Sequence, residues 1–455
     1  QAIYKDSSGK IGGIDASTQV PINYKSTDKK YSYGYETIGI PGVVAGLLKL
    51  HQEKGTLTLK KVMEPAIRYA ENGYNILPLE AERQKSKIEN IKEFDGTKTH
   101  FLNADENSYK PGDLVIQKTL AETLKIIAEK GKQGFYQGEI AKKMVNDIQG
   151  NGGILTLEDL KNYEALDSQV LKGRFNGAEV FALNLPCFGA ITIQILQIID
   201  HLGLPLSEED WTKKFKDATA LAYTYRDHQD NIDSLSKIID YNQAKIWASK
   251  IKKKEFKTVS KPQNSFPDSW IADIGHTTHL TSADDKGNVV SLTQTIGPSM
   301  GSKVASKELG FLYAVSLGGY LGEYKPGDRS NSHISPTLFF RNGKIQLAIG
   351  AAGGSRIVTA ITQVAHRYLA QHHDLEKSLF LPRIYHDKDT LLIEDHDKVK
   401  SINANEDLFN NPVKLIDEEA RFGRVHAISY DTISKKWIGA ADPDWEGTVE
   451  YYTKP

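Results

Sequence analysis

Two runs of alternating polar and apolar residues flank Asp285-Lys286-Gly287-Asn288, whose residue types favour a tight turn. A period of two is typical of a strand with one buried face, so the two runs predict an antiparallel hairpin over residues 277–295. The same pattern recurs around Asn342-Gly343 and again over residues 424–443. We therefore predict three antiparallel hairpins, and a sheet-rich part of the chain, after residue 276.

The chain before residue 276 predicts mainly helices. In LKKVMEPAIRYAENG, apolar residues recur three and four positions apart, and Gly73 follows as a C-cap. Thr156, with an acid three residues later, predicts the N-terminus of another helix. More helices are predicted before Gly55, around 115–131, 138–149 and 190–203, and farther along the chain at 357–370. Residues 176–186 predict a strand, residues 1–55 are otherwise predicted to be irregular, and residues 251–275 to form a polar linker.

Composition excludes several classes of protein. The 455 residues are 39% hydrophobic and 25% charged, with a net charge of −1, so no basic excess indicates a nucleic-acid or anionic-membrane partner. The length fits either several average domains or one large layered unit. No run of 18 apolar residues and no leader in residues 1–30 is found, so this stretch predicts neither a membrane span nor a signal peptide. The single cysteine, Cys187, excludes an internal disulfide and a cysteine-based metal site, and we predict that it is a small buried residue.

The first predicted hairpin begins with Thr277-Thr278-His279. Threonine is a weak nucleophile unless a base takes its proton, and one such base is the α-amine of the same residue when it is the first of a chain. That chemistry requires cleavage of the bond between His276 and Thr277. The alternative is an ordinary strand residue, because threonine is common in strands.

A glycine pair precedes the helix predicted at 357–370. In GAAGGSRI, Gly353 and Gly354 form either a tight strand-to-helix turn or a pair of backbone N–H donors for the oxyanion of an acyl intermediate. A phosphate-binding loop is excluded, because the lysine and the GxxxxGK[ST] spacing are missing.

Together these motifs resemble a family. TTHLTSADDKGNVVSLTQT, SPTLFFRNGKIQLAIGAAGGSRI and GAADP resemble, in this order, the small subunit of the γ-glutamyltransferases, N-terminal nucleophile hydrolases that cut themselves before Thr-Thr-His. GIPGVVAGL, NGGILTLEDLKNYEA and LPCFGAITIQILQ resemble parts of the large subunit. AIYKDSSGKIGGIDAS matches a point already inside the large subunit, so the family's N-terminal helix and glycine-rich strand have no counterpart in this sequence.

The resemblance implies an α+β fold with four αββα layers. It also implies a large chain of residues 1–276 and a small chain of residues 277–455, which form one intertwined domain after self-cleavage. Neither a metal nor another cofactor is implied, and the location implied is periplasmic or secreted.

The same resemblance assigns the chemistry. Thr277 matches the nucleophile and new N-terminus, and Thr295 the hydroxyl that orients it. Gly353 and Gly354 match the oxyanion hole. An amide carbonyl would acylate Thr277, and water or an acceptor amine would then release the acyl group.

Substrate recognition departs from the family pattern. Ser17 stands where the family has an arginine that clamps the glutamyl α-carboxylate, and a serine cannot supply that charge. Ser332-His333 replaces a Ser-Ser pair, Gly297 replaces an asparagine, and Gly318 or Gly319 stands where an acid holds the α-amine. We therefore predict an altered acyl pocket.

Four side chains are candidates for polar contacts in that pocket, and each has a structural hydrogen bond as its alternative role. They are His333, Arg356, His279 and Arg329.

The leading interpretation is a self-processed threonine amidohydrolase or acyltransferase that acts on a small-molecule or peptide amide without a standard γ-glutamyl group. Family relatives with altered pockets indicate which kinds of substrate such a protein takes. They include acylases of β-lactam precursors and poly-γ-glutamate depolymerases. Two alternatives stay open: a non-catalytic relative that binds a ligand or a partner, and a conventional γ-glutamyl hydrolase or transpeptidase.

Overall fold

A computed structural model describes most of the chain. The described residues are 1–26, 31–255, 277–317, 324–387, 389–395, 406–417, 422–442, 444 and 446–452. His276, Gly318, Gly319 and most of the predicted linker lie outside these ranges.

The strands, in chain order, are β1 (Ala2–Lys5), β2 (Ile11–Asp15), β3 (Tyr74–Asn75), β4 (Leu114–Val115), β5 (Leu166–Asp167), β6 (Val170–Phe175), β7 (Ala178–Leu183), β8 (Thr277–Ala283), β9 (Val289–Thr295), β10 (Thr337–Arg341), β11 (Lys344–Ala352), β12 (Ile384–Asp387), β13 (Thr390–Glu394), β14 (Val413–Ile416), β15 (Arg424–Asp431) and β16 (Lys436–Ala441). The α-helices are α1 (Val43–Lys54), α2 (Leu59–Asn72), α3 (Pro78–Ser86), α4 (Ile88–Glu93), α5 (Asp95–Phe101), α6 (Lys118–Tyr136), α7 (Gly138–Gly150), α8 (Leu157–Asn162), α9 (Gly189–Leu202), α10 (Glu208–Tyr223), α11 (Ile232–Ile238), α12 (Tyr241–Lys252), α13 (Ile357–Leu369), α14 (Leu375–Phe380) and α15 (Glu406–Phe409).

Two antiparallel sheets form the centre of the molecule. Five strands pair in the order β5-β2-β1-β9-β8, and six pair in the order β16-β15-β11-β10-β7-β6. The sheets face each other, because β8 and β9 contact β11. Helix α1 covers β2 on one outer side, while α9 and α13 cover β7 and β11 on the other. The predicted α+β fold with αββα layering is therefore confirmed.

The three predicted hairpins are confirmed as β8–β9, β10–β11 and β15–β16. Local chemistry closes them. Asp284 accepts hydrogen bonds from the backbone N–H groups of Lys286 and Asn288 at the first turn. Asn342 and Gly343 have φ values of 51° and 73°, the left-handed pair that a two-residue turn between twisted strands requires.

Helix ends follow the predicted signals. Helix α1 ends before Gly55, and α2 ends before Gly73, whose φ of 92° is unfavourable for other residues. Thr156 caps α8, and its hydroxyl accepts the backbone N–H of Asp159. Residues Gly189–Ile199 of α9 are all buried against the six-stranded sheet and the helices α10 and α12. This burial on all sides explains the nearly continuous apolar sequence of α9.

The prediction that residues 1–55 are irregular outside α1 is wrong. Residues of β1 and β2 form the middle of the five-stranded sheet, and β1 pairs with both β2 and β9. Alternation is weak in β1 because Ala2, Ile3 and Tyr4 are all buried. Two glycines interrupt the pattern in β2. The small sheet β12-β13-β14 was not predicted either.

Candidate active site

The β8–β9 hairpin brings the two predicted catalytic threonines together. Its register sets Thr277 directly opposite Thr295. Thr277 Oγ1 donates a hydrogen bond to Thr295 Oγ1 at 2.9 Å, and the backbone N–H of Gly297 donates to the same oxygen at 3.0 Å. The Thr295 hydroxyl therefore accepts two hydrogen bonds and holds the Thr277 hydroxyl in one direction.

The glycine pair lies at the turn between β11 and α13. Gly353 has a φ of 135°, and a Cβ there would lie 2.8 Å from the Cα of Gly423, so a side chain would collide with backbone. Gly354 has a φ of 59°, but no atom lies within 4 Å of the position that its Cβ would take. The first glycine is thus required by packing, whereas the second faces open space.

A buried ionic cluster supports this turn from behind. Arg383 donates to the carbonyl of Gly423 at 2.9 Å and pairs with Asp442 and Glu394. All three charged side chains are buried. Removal of one partner would leave an uncompensated buried charge, so the cluster is costly to break. Through the bond from Arg383 to its carbonyl, the cluster keeps Gly423 in place against Gly353.

A cavity of about 440 Å³, here called the uncharged cavity, opens beside Thr277. No Asp, Glu, Lys or Arg is found among its described lining residues. Six predicted site residues line it, namely Ser17, Thr277, Thr295, Ser332, His333 and Gly354. Helices α1 and α6 supply much of the apolar wall, through Val43, Val44, Leu47, Leu50, Leu120, Leu124, Ile127 and Phe135.

Polar groups near the predicted clamp position bond within the protein. The Ser17 hydroxyl accepts from the Gln1 side-chain amide at 2.6 Å, and its carbonyl accepts from Tyr163. Arg329 forms an ion pair with Asp15 at 3.5 Å and donates to two backbone carbonyls. Arg329 therefore has the structural role, and its charge is not presented to the cavity.

The three other candidates for polar contacts are separated in space. His333 lines the uncharged cavity, edge-on to Phe188, and burial holds its pKa well below the usual range. Arg356 lies over the ring of Tyr385 at 5.0 Å and does not line either cavity. Its assignment as a substrate-binding residue stays a prediction. His279 is buried, and its Nδ1 forms a hydrogen bond with Thr293 at 2.8 Å.

A second cavity, of about 510 Å³ and here called the charged cavity, also reaches Thr277. Its charged lining residues are Glu80, Arg83, Arg424 and Glu446. Burial raises the pKa of Glu80 and lowers the pKa of Arg424 to about 10. The rings of His279 and His426 lie parallel at its wall, with centroids 6.4 Å apart.

Sequence reasoning missed the apolar helix residues of the uncharged cavity and the four charged residues of the charged cavity. The sequence did contain a signal for the apolar residues of the uncharged cavity. Residues 43–50 of α1 are apolar on more than one face, which indicates a second contact surface. The charged wall had none, since Glu80, Arg424 and Glu446 are far apart in the sequence.

Two absences and the environment of Cys187 complete the description of the site. Among the residues that the structure describes, no group of three or more His, Cys, Asp or Glu side chains could hold a metal ion. Within the same described ranges, no helix has the length and apolar character to cross a bilayer. Cys187 is buried as predicted, and burial raises the pKa of its thiol to about 12, so the thiolate is disfavoured.

Comparisons with known proteins agree with this geometry. The sequence profile of the γ-glutamyltranspeptidase family matches residues 2–452. The glutathione hydrolase proenzyme of Bacillus subtilis (strain 168) is 28% identical over 451 residues, which cover 90% of this chain and 74% of that protein. The glutathione hydrolase proenzyme of Escherichia coli (strain K12) is 28% identical over 382 residues, which cover 79% of this chain and 66% of that protein.

One solved structure covers the whole chain. The crystal structure of cephalosporin acylase from Bacillus halodurans matches with a TM-score of 0.84 at 21% sequence identity, over 100% of this chain and 87% of that chain. It has the same fold. Because the profile match extends over nearly the full length, the chain belongs to the γ-glutamyltranspeptidase family of hydrolases and acyltransferases.

Proposed function

We propose that this chain is a self-processed threonine amidohydrolase or acyltransferase in which Thr277 is the nucleophile. The observation that carries the proposal is the hydrogen bond from Thr277 to Thr295 at the point where two cavities meet. Cleavage of the bond between His276 and Thr277 would free the α-amine of Thr277, which then serves as the base.

The proposed reaction has two steps. The amine takes the proton of the Thr277 hydroxyl, and Oγ1 attacks the amide carbonyl to form a tetrahedral intermediate. Backbone N–H groups of Gly353 and Gly354 stabilise its oxyanion. The ammonium then returns the proton to the leaving amine, and water or an acceptor amine releases the acyl group from the ester.

We further propose that the acyl group is not a standard γ-glutamyl group. The relatives named glutathione hydrolase act on glutathione, but Ser17 supplies no charge for a carboxylate clamp and Arg329 is paired with Asp15. The substrate class is a small-molecule or peptide amide. Family resemblance supports a periplasmic or secreted location.

Cleavage would divide the chain into a large chain of residues 1–276 and a small chain of residues 277–455. Each central sheet contains strands from both parts, since β1 pairs with β9 and β7 pairs with β10. These ladders support one intertwined domain that survives the cut.

Intact-mass measurement tests the proposal. Wild-type protein should give two chains, the smaller beginning at Thr277, whereas Thr277→Ala should stay as one chain, because alanine has no hydroxyl to attack the preceding carbonyl. Thr281→Ala, on the same face of β8, is the matched control and should be cleaved normally. Wild-type protein that stays intact after long incubation would contradict the proposal and favour a non-catalytic relative.

A further inference from the structure

The residues that line the uncharged cavity indicate which kind of ligand it binds. We propose that this cavity is the acyl subsite and that it takes an uncharged, apolar acyl group of medium chain length. This inference rests on the proposed function, because it assumes that Thr277 attacks the carbonyl of a group bound there. The reaction would be hydrolysis of an amide RCO–NHR′ by water, to RCOOH and H₂NR′, with R in the uncharged cavity.

Apolar side chains from both α1 and α6 line the cavity. Leu47 and Leu50 come from the first helix, and Leu120 and Leu124 from the second. Leu47 lines the cavity, and its residue is 45% exposed, so part of its apolar surface is open to a ligand. An apolar ligand would cover surface of this kind.

Three hydroxyls of the lining form hydrogen bonds within the protein. The Thr123 hydroxyl donates to the Leu309 carbonyl at 2.8 Å, and the Tyr313 hydroxyl donates to Asp147. Thr293 forms its hydrogen bond with His279. These three hydroxyls already have partners, whereas Gln1 Oε1 and His333 Nε2 are buried without one among the described residues. The described lining therefore offers a ligand a few neutral polar contacts and no charged one.

One pair of charges near the cavity is neutralised within the protein. Asp15 and Arg329 form an ion pair, and neither lines the cavity. A γ-glutamyl group carries an ammonium and a carboxylate, and both would lose hydration here without gaining a counter-charge from the described lining. An alkyl group has no such penalty, and each methylene removed from water favours binding about fourfold. The volume of about 440 Å³ lies within the range of small-molecule sites.

A series of acyl p-nitroanilides tests the inference on the mature, cleaved protein. We expect kcat/KM to rise about fourfold per added methylene from butyryl to hexanoyl. We also expect hexanoyl p-nitroanilide to exceed γ-glutamyl p-nitroanilide by about 100-fold or more, since the charged group meets no partner. A flat series, or a preference for the γ-glutamyl compound, would overturn the inference.

A variant inside the cavity sharpens the test. Leu124→Trp reduces the space and should lower kcat/KM for octanoyl p-nitroanilide about tenfold or more, while butyryl p-nitroanilide changes less than threefold. Leu206→Trp is the matched control, because Leu206 is 96% exposed and outside the cavity. Equal losses for both acyl lengths in Leu124→Trp would count against the inference.

Mass spectrometry of the small chain separates the two hypotheses. If Thr277 becomes acylated at a rate that does not depend on the length of the acyl chain, only the inference of an apolar acyl subsite is overturned. No acyl group on Thr277 with any of the anilides would contradict the proposed function itself.

Discussion

The two cavities that meet at Thr277 differ in the chemistry of their walls. No charged side chain lines the uncharged cavity within the described part of the chain, whereas the charged cavity has two arginines and two glutamates. An amide has an acyl half and an amine half. Under the proposed function, each cavity would select one of these halves by a different kind of interaction. Apolar burial grows with the size of the group, while charge selects by sign and geometry. The difference teaches that specificity at one threonine can be divided between two surfaces of different chemistry.

The largest effect is expected where the two cavities meet, at Thr277. There the rate should fall by the same factor whichever half of the substrate is varied. Thr295→Val removes the oxygen that accepts from Thr277, so acylation should fall about 10²- to 10³-fold for every substrate. Thr295→Ser keeps the oxygen and should recover most of the rate. Burst kinetics with several anilides would measure the acylation rate. A loss confined to one acyl or amine class would contradict the placement of Thr277 and Thr295 between the two cavities.

An intermediate effect is expected in the charged cavity alone. Burial raises the pKa of Glu80, which disfavours its charged form, whereas Arg424, with a pKa of about 10, stays protonated at neutral pH. We therefore expect the arginines to dominate, so that a leaving amine with a carboxylate is favoured. Arg83→Gln should lower kcat/KM about tenfold for such an amide, because a charge-assisted hydrogen bond is lost.

The control for Arg83→Gln is the same acyl group on a neutral anilide, for which kcat/KM should hardly change. An equal loss with both leaving groups would mean that Arg83 acts through folding and not through charge.

The smallest effect concerns pH and rests on His333, which lines the uncharged cavity alone. Burial holds the pKa of His333 well below its value of about 6.5 in unfolded chains. Unfolding below that pH takes up a proton, so this contribution to stability is present above pH 6.5 and is lost as the pH falls. His333→Gln should reduce the pH dependence of the free energy of unfolding by up to about 1.4 kcal/mol per pH unit below pH 6.

Urea unfolding of the uncleaved Thr277→Ala precursor, with and without His333→Gln, at pH 5, 6 and 7 would measure that slope. His228→Gln, at an exposed position, is the control. Identical slopes with and without His333→Gln would contradict the assignment of a neutral buried imidazole.

Local signals predicted much of this molecule. The Asn342-Gly343 turn, the Thr156 cap and the Gly73 C-cap act through neighbouring atoms, so the sequence reveals them directly. The family resemblance predicted the layers and the pairing of Thr277 with Thr295, which the register of one hairpin produces.

What was missed depends on contacts between distant parts of the chain. Strand β1 has no alternation because both of its faces are covered, and only its pairing with β9 makes it a strand. The charged cavity joins α3 to the start of β15 and to Glu446, positions that no periodic pattern relates. The packing of Arg356 on Tyr385 also depends on a distant strand, β12, and its assignment as a substrate-binding residue stays a prediction.

Strand pairing across residues 276 and 277 has a consequence for how long the mature protein lasts. Before the proposed cleavage, β1 and β9 belong to one chain, which raises the effective concentration of each strand around the other. After it, two separate chains would have to meet, which slows reassembly and makes it depend on protein concentration. The uncut precursor can refold after a transient opening, but the mature form does so poorly. Its working lifetime is therefore governed by the rate at which the sheets open, not by an equilibrium between folded and unfolded states.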